Sequence, residues 1–307
     1  MTLCCKRKQS LRTLALLTLA LCGGRTPFAH AADKHPAPFT FVVFGDNRPD
    51  GEEKPVTEVF KRILSEVRSV HPAFVVTTGD LIFGSATDQD LVNREYDEVL
   101  PLVKSLDVPV YFAAGNHEIR GAPANEAIYR KRVSDKLYYS FDCGSAHLVV
   151  LDSDIVGQEH RITGAQFDWL QKDLQRAKGK QHRFVFLHQQ PYPVSYHTGS
   201  SLDTHPDDRD RFQKLLEDNK VELLITGHEH LYDDSIHGGV REIIAGGAGA
   251  PLYPSIRGGS FFHYLIITID GPKTYVSVVK PGSLFASDEI LEKAPSEKVD
   301  PFAKPEH

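Results

Sequence analysis

The chain has 307 residues, 41% hydrophobic and 25% charged, with 35 basic and 41 acidic side chains and a formal charge of −6. That length suits one large domain or two modest ones, with ample apolar material for a core. An acidic chain with no basic stripe argues against attachment to a polyphosphate backbone, so no stable nucleic-acid partner is expected.

At the N-terminus, Lys6, Arg7, Lys8 and Arg12 precede the apolar stretch Leu14 to Leu21, and Ala29-His30-Ala31 follows. A basic start, a short apolar centre and a small-x-small end predict a signal peptide over residues 1–31, cut after Ala31. The expected destination is periplasmic or secreted. The apolar run is too short for a bilayer, so no membrane span is expected. Bulky Leu21 disfavours a lipoprotein signal at Cys22. Loss of five basic residues and no acid would take the formal charge from −6 to −11. Only Cys143 of four cysteines would remain, which leaves no internal disulfide and suggests a structural thiol.

Residues 32–38 read as a linker, 39–287 as the folded domain and 288–307 as a disordered tail. The first strand is expected at 39–44. Val56, Val59, Phe60, Ile63, Leu64, Val67 and Val70 recur at helical spacing, with Pro55 suited to the first turn. A strand at 74–78, a helix at 88–100 and a strand opened by Pro109 continue the alternation, which argues for a sheet covered by helices. Residues 137–141 and 147–151 flank a turn and read as a hairpin. Thr163 and Gln166 have capping-box spacing before a helix. A strand ends at His188, a polar loop spans Gln189 to Asp207, and a helix around Phe212 to Leu216 leads into the strand before His228. Loops of that length in a compact domain are more often functional than idle.

Five apolar strands end at once in polar groups: Gly45-Asp46-Asn47-Arg48, Gly79-Asp80, Gly115-Asn116-His117-Glu118, His188 and Gly227-His228-Glu229-His230. Ligands bind at strand ends in layered α/β sheets, so these tips can converge. Any one histidine of fifteen carries little weight, but five ordered tips carry much. Asp46, Asp80, Asn116, His188, His228 and His230 form a mixed oxygen and nitrogen set. It suits Mn, Zn or Fe rather than Ca. Six donors exceed the needs of one ion, and a carboxylate can bridge two. Two divalent or mixed-valence transition metals about 4 Å apart would activate a bridging water as hydroxide, and His117 is available to assist a leaving group.

The five motifs resemble those of the calcineurin-like metallophosphoesterases over about residues 40 to 280. The resemblance implies a four-layer α/β/β/α sandwich of two facing mixed sheets. It also implies hydrolysis of small phosphate mono- or diesters without a covalent intermediate. Asp80 would bridge the ions, Asp46 and His230 would bind the first, and Asn116, His188 and His228 the second. His117 would contact phosphate and aid leaving-group departure.

The family's first motif is usually Asp-x-His, whereas this chain reads Asp46-Asn47-Arg48. A guanidinium cannot ligate a metal but can grip a phosphate oxygen, so Arg48 is a candidate substrate clamp. It could instead turn outward, or leave the first metal weakly held. Purple acid phosphatases also lack this histidine but carry a tyrosine after the second aspartate. Gly79-Asp80-Leu81-Ile82-Phe83 has none, which does not support a chromophoric iron site. A phosphate-ligand binding protein with an impaired first metal position is the alternative reading. His197, Thr198 and Ser200 are candidates for the entrance, Glu118 and Glu229 for support, and Asp152 and Asp154 for turn hydrogen bonds.

Overall fold

The computed structural model describes residues 37–255 and 257–284. The expected signal peptide, most of the linker and the tail at 288–307 lie outside them. The chain opens as β1 (Phe39–Phe44), α1 (Glu58–Val70), β2 (Val75–Thr77), α2 (Gln89–Lys104) and β3 (Val110–Phe112). Two helices not foreseen from the sequence follow, α3 (Asn116–Ile119) and α4 (Pro123–Arg132). The hairpin β4 (Tyr139–Cys143) and β5 (Ala146–Val150) leads to α5 (Gly164–Arg176), β6 (His182–Phe186), α6 (Pro206–Asp218) and β7 (Leu223–Thr226). The last elements are β8 (Tyr232–His237), β9 (Val240–Ala245), β10 (Tyr264–Asp270) and β11 (Lys273–Val279).

Among the described residues the strands form two mixed sheets, ordered β11-β10-β1-β2-β3 and β4-β5-β6-β7-β9-β8. β1, β2 and β3 run parallel, as do β5, β6, β7 and β9. Strand alternation sorts the side chains into layers. Phe41 and Val43 point between the sheets and meet Phe74, Val76, Phe184, Phe186 and Leu265. Val42 and Phe44 point outward and pack with Phe60, Ile63, Val67, Tyr96 and Val99 of α1 and α2. On the other outer face, Val185, Leu187 and Leu224 meet Leu170, Leu174, Phe212 and Leu216 of α5 and α6. Both faces of the parallel strands are covered, which is why their sequences are continuous apolar runs. Each such side chain contributes roughly 1.5–3 kcal/mol on burial. The result is the four-layer α/β/β/α sandwich.

Several local expectations shift. Thr57 Oγ1 accepts the Phe60 N–H at 3.2 Å and caps α1, so Pro55 precedes the cap instead of occupying the first turn. Thr163 stands at the start of α5 without a side-chain cap bond. The Gln166 amide instead pairs with the backbone of Asp152, donating to its carbonyl and accepting its N–H, each at 2.8 Å. A buried strand end with two open backbone groups outcompetes the cap. Helix α2 runs past Leu100 to Lys104 because Val103 continues its buried stripe. The loop after His188 is shortened by a 3-10 turn at Leu202–Thr204 and by α6 beginning at Pro206. Cys143 is buried in the core between the sheets.

Candidate metal centre

The five tips lie at the C-terminal ends of β1, β2, β3, β6 and β7, along one rim of the sandwich. Asp46, Asp80 and His228 each adopt a left-handed backbone, with φ of 57°, 57° and 67°. That conformation costs about 1–2 kcal/mol for a residue with a Cβ, and it turns each side chain back over the strand end. The preceding glycines make room. Gly79 has φ of 96°, and a Cβ there would lie 2.8 Å from Gly115 Cα and from His188 Nδ1. A Cβ on Gly227 would lie 2.4 Å from an Asp46 oxygen. Backbone bonds stitch the tips together: Asp46 N–H to Gly79 O and Arg48 N–H to Asp80 O, each at 3.0 Å.

The side chains then meet. Asp46, Asp80 and His188 each offer a donor atom within 4.8 Å of the others, and all three are buried. His188 Nε2 lies 2.9 Å from Asn116 Oδ1 and 3.3 Å from Asp80 Oδ1. His228 Nδ1 lies 3.1 Å from both Asn116 Oδ1 and His188 Nε2. His230 Nε2 lies 3.5 Å from Asp46 Oδ1. Carbonyls fix two tautomers, since a carbonyl can only accept. His188 Nδ1–H donates to Thr78 O at 2.8 Å and His230 Nδ1–H to Pro251 O at 2.7 Å. Both Nε2 atoms therefore face the carboxylates, an arrangement that suits metal ligation once any Nε2 proton is displaced.

Charge is tightly coupled here. Burial, reinforced by Asp80, pushes Asp46 up to about 8. Burial also works against an ionised Asp80, but His188, His117 and Arg48 outweigh it and hold that carboxyl well below its ordinary range. His188 is raised to about 9 because Asp80 and Asp46 overcome its burial. Burial, then Arg48, lowers His230 to about 3, and burial, then His188 and His197, depresses His228 strongly. Buried carboxylates faced by imidazole nitrogens fit a divalent cation, whose binding displaces protons from such a set.

Arg48 turns inward and is only 9% exposed. Its Nε stands 3.4 Å from Asp80 Oδ2, its Nη1 donates to Pro49 O at 3.0 Å, and its guanidinium lies 5.3 Å from the Phe83 ring centroid. His117 sits opposite, with Nε2 3.9 Å from Asp80 Oδ2 and Nδ1 2.5 Å from Phe83 O. Burial, then Arg48 and Arg120, lowers His117 to about 4 despite Asp80. Its backbone N–H donates to Asp80 Oδ1 at 3.1 Å.

Two glutamates hold loops from behind. The Glu118 carboxylate accepts N–H groups of Asp80 at 2.9 Å, Leu81 at 2.6 Å and Gly115 at 2.7 Å, tying the second tip to the third. Burial pushes it up to about 7. Glu229 accepts from Val194 at 2.8 Å, Ser195 at 2.6 Å and His197 at 3.3 Å. That grip lays the His197 ring on His228, with centroids 3.7 Å apart. Tyr253, which sequence reasoning missed, stacks on His230 at 4.2 Å and meets His197 Nε2 through its hydroxyl at 3.3 Å. Its only sequence signal was a place just after the Gly-rich run at 246–249. Thr198 and Ser200 bond within their own loop. Asp152 Oδ1 accepts the Asp154 N–H at 2.7 Å, a turn contact.

Cavity size does not mark the centre. The larger surface groove, about 450 Å³, is lined by Leu100, Val103, Val108 and Phe112 on the β3 edge. A smaller one of about 320 Å³, bordered by Pro49, Lys54, Gly249 and Pro251, runs beside the tips.

A family model described as calcineurin-like phosphoesterase matches residues 26–232. The chain belongs to the calcineurin-like phosphoesterase family. Among curated members, purple acid phosphatase 22 of Arabidopsis thaliana is 27% identical over 83% of this chain and 64% of its own length. Purple acid phosphatase 21 of the same plant is 27% identical over 69% of this chain and 48% of its own. The chain thus spans about half to two thirds of these relatives. Purple acid phosphatase PPD1 from yellow lupin seeds shares the fold at a TM-score of 0.66 and 16% identity, over 80% of this chain and 52% of its own. A dimetal phosphatase from Danio rerio does so at 0.58 and 16%, over 79% and 99%.

Proposed function

We propose that the chain is a metal-dependent phosphoric ester hydrolase that cleaves small phosphate mono- or diesters. The observation that carries this reading is the convergence of Asp46, Asp80, Asn116, His188, His228 and His230 at five strand tips, with imidazole nitrogens turned inward. A pair of Mn, Zn or Fe ions held by these residues would lower the pKa of bound water and polarise a phosphoryl oxygen. Asp80, flanked by both groups of donors, is the bridging candidate.

The chain's own side chains supply the rest. Arg48 is poised to donate two parallel hydrogen bonds to two phosphoryl oxygens once it leaves Asp80. His117 Nδ1 is held between Phe83 O, which can only accept, and Arg120 Nη2 at 2.7 Å, which can only donate, while Nε2 is turned toward Asp80 and the reaction. An anionic phosphate beside it favours the imidazolium, which can then protonate the departing oxygen at Nε2. His197 and Tyr253 cover the histidine side and limit water access. The sequence of residues 1–31 supports export with cleavage after Ala31; a secreted product beginning at Ala32 is the expected mass-spectrometric result.

The inward Arg48 also favours a second reading, a phosphate-ligand binding protein whose first metal position is too weak for turnover. One experiment separates them. The metal-stripped protein is given Mn, Zn or Fe with p-nitrophenyl phosphate or its bis ester. Metal-restored turnover supports the hydrolase, and the preferred ester distinguishes phosphatase from phosphodiesterase. No turnover with any metal, while phosphate still binds, would establish the binding protein instead.

A further inference from the structure

Two loops at the mouth of the centre are locked together more firmly than a solvent-facing rim requires. Glu229 holds three amides of the first loop, at Val194, Ser195 and His197, on both sides of Tyr196. Ser195 Oγ ties that loop to the second by donating to Pro254 O at 2.8 Å. The second loop is pinned to the tip itself, through Tyr253 N–H to His230 O at 3.0 Å and His230 Nδ1–H to Pro251 O at 2.7 Å. Between these anchors stands Tyr196, 69% exposed, with its ring centroid 5.2 Å from that of Tyr253. Tyr253 in turn stacks on His230 at 4.2 Å. Rings thus step outward from a candidate metal ligand to solvent.

A lone exposed tyrosine is ordinary on a protein surface. This one differs in its support. Its neighbours at 195 and 197 are fixed by a buried carboxylate, and no hydrogen bond to its own hydroxyl occurs among the described residues. Its backbone is held while one ring face is left to solvent beside the centre. Aromatic stacking gains from such a held backbone, because less conformational freedom of the loop is lost on binding.

We propose that Tyr196, backed by Tyr253, is a stacking platform for a planar aromatic leaving group. The preferred substrates are then phosphate esters of aryl or nucleoside type rather than alkyl esters. The proposal rests on the phosphoesterase reading above for its ester, and on ring geometry for its selectivity. Tyr196 is a specificity residue here and touches the leaving group, not the reacting phosphorus.

Aryl esters are intrinsically more reactive, so the test reads binding first. Phenylphosphonate and methylphosphonate, which are not hydrolysed, are titrated calorimetrically into the metal-loaded full chain, native and with Tyr196→Ala or Tyr196→Trp. Phenylphosphonate is expected to bind roughly tenfold more tightly to the native chain, the range of one ring-on-ring stack. Tyr196→Ala should abolish that preference and Tyr196→Trp restore it, with unchanged metal content. For phenyl phosphate hydrolysis, Tyr196→Ala should raise KM and leave kcat within about twofold. Equal affinities in the native chain, or a preference that survives Tyr196→Ala, overturns the platform. If neither phenyl nor methyl phosphate is hydrolysed while the phosphonate preference still tracks Tyr196, the hydrolytic reading fails and the platform stands.

Discussion

The two halves of the centre are built to different standards. Around His188 Nε2, donors from three other tips, Asn116, His228 and Asp80, lie 2.9–3.3 Å away, and a carbonyl fixes the central ring. Around His230, Asp46 and one imidazole stand 3.5 Å apart, and Arg48 points its charge at the shared Asp80. The same fold therefore holds a well-furnished position beside one short of a ligand and facing a cation. Local sequence decides this: Arg48 stands where the family's usual Asp-x-His would add an imidazole to Asp46 and His230.

The largest effect should come from erasing what both halves share. Asp80→Asn is expected to lower metal content and hydrolysis by roughly 100-fold or more, read by elemental analysis and p-nitrophenyl phosphate turnover. Unchanged values for both would break the assignment. Next comes the asymmetry itself. His188→Ala should weaken the tighter ion roughly 100-fold, whereas His230→Ala should spare it and remove only the looser one. Two equal losses in a metal titration would mean that the halves are equivalent.

Arg48→His sharpens the comparison from the other side. Metal affinity at the weaker position should rise about tenfold, while inorganic phosphate binds several-fold more weakly because a bidentate donor is gone. A rise in both affinities would remove Arg48 as a clamp. The smallest effect lies far from either half, near the opposite end of the sheets. His147 is bracketed by Asp142 and Asp173, each at 2.8 Å. Burial opposes its charge, but those carboxylates raise its pKa above the ordinary 6.5. The contribution is therefore fully present below pH 6.5 and fades as pH rises through the folded value. Denaturant midpoints should show that loss in the native chain and not in His147→Gln, with metal affinities of both halves unaltered.

How far the sequence reaches follows from what is local. Apolar run, glycine, polar tip is a pattern of six or seven neighbouring residues, so Asp46, Asp80, Asn116, His188 and His228 could be assigned to strand ends. The four-layer stacking of two sheets was implied by the family resemblance rather than by periodicity, and the strand order within them was not read at all. Distant contacts were illegible. His197 lies over His228 because Glu229 grips the backbone of a loop 32 to 35 positions away. Gln166 leaves its cap for Asp152, and Arg48 faces inward because Phe83 and Asp80 offer it a seat. Short α3 escaped notice because one turn that opens on Asn116 leaves no periodic stripe.

The left-handed torsions at Asp46, Asp80 and His228 carry a consequence for how such a chain can drift. Glycine adopts that backbone without steric cost, so replacing His228 by glycine should relieve about 1 kcal/mol while stripping a donor from the centre. A lineage kept only for its scaffold would gain by that exchange. A histidine held in that backbone therefore marks a position where thermal robustness and chemistry pull in opposite directions.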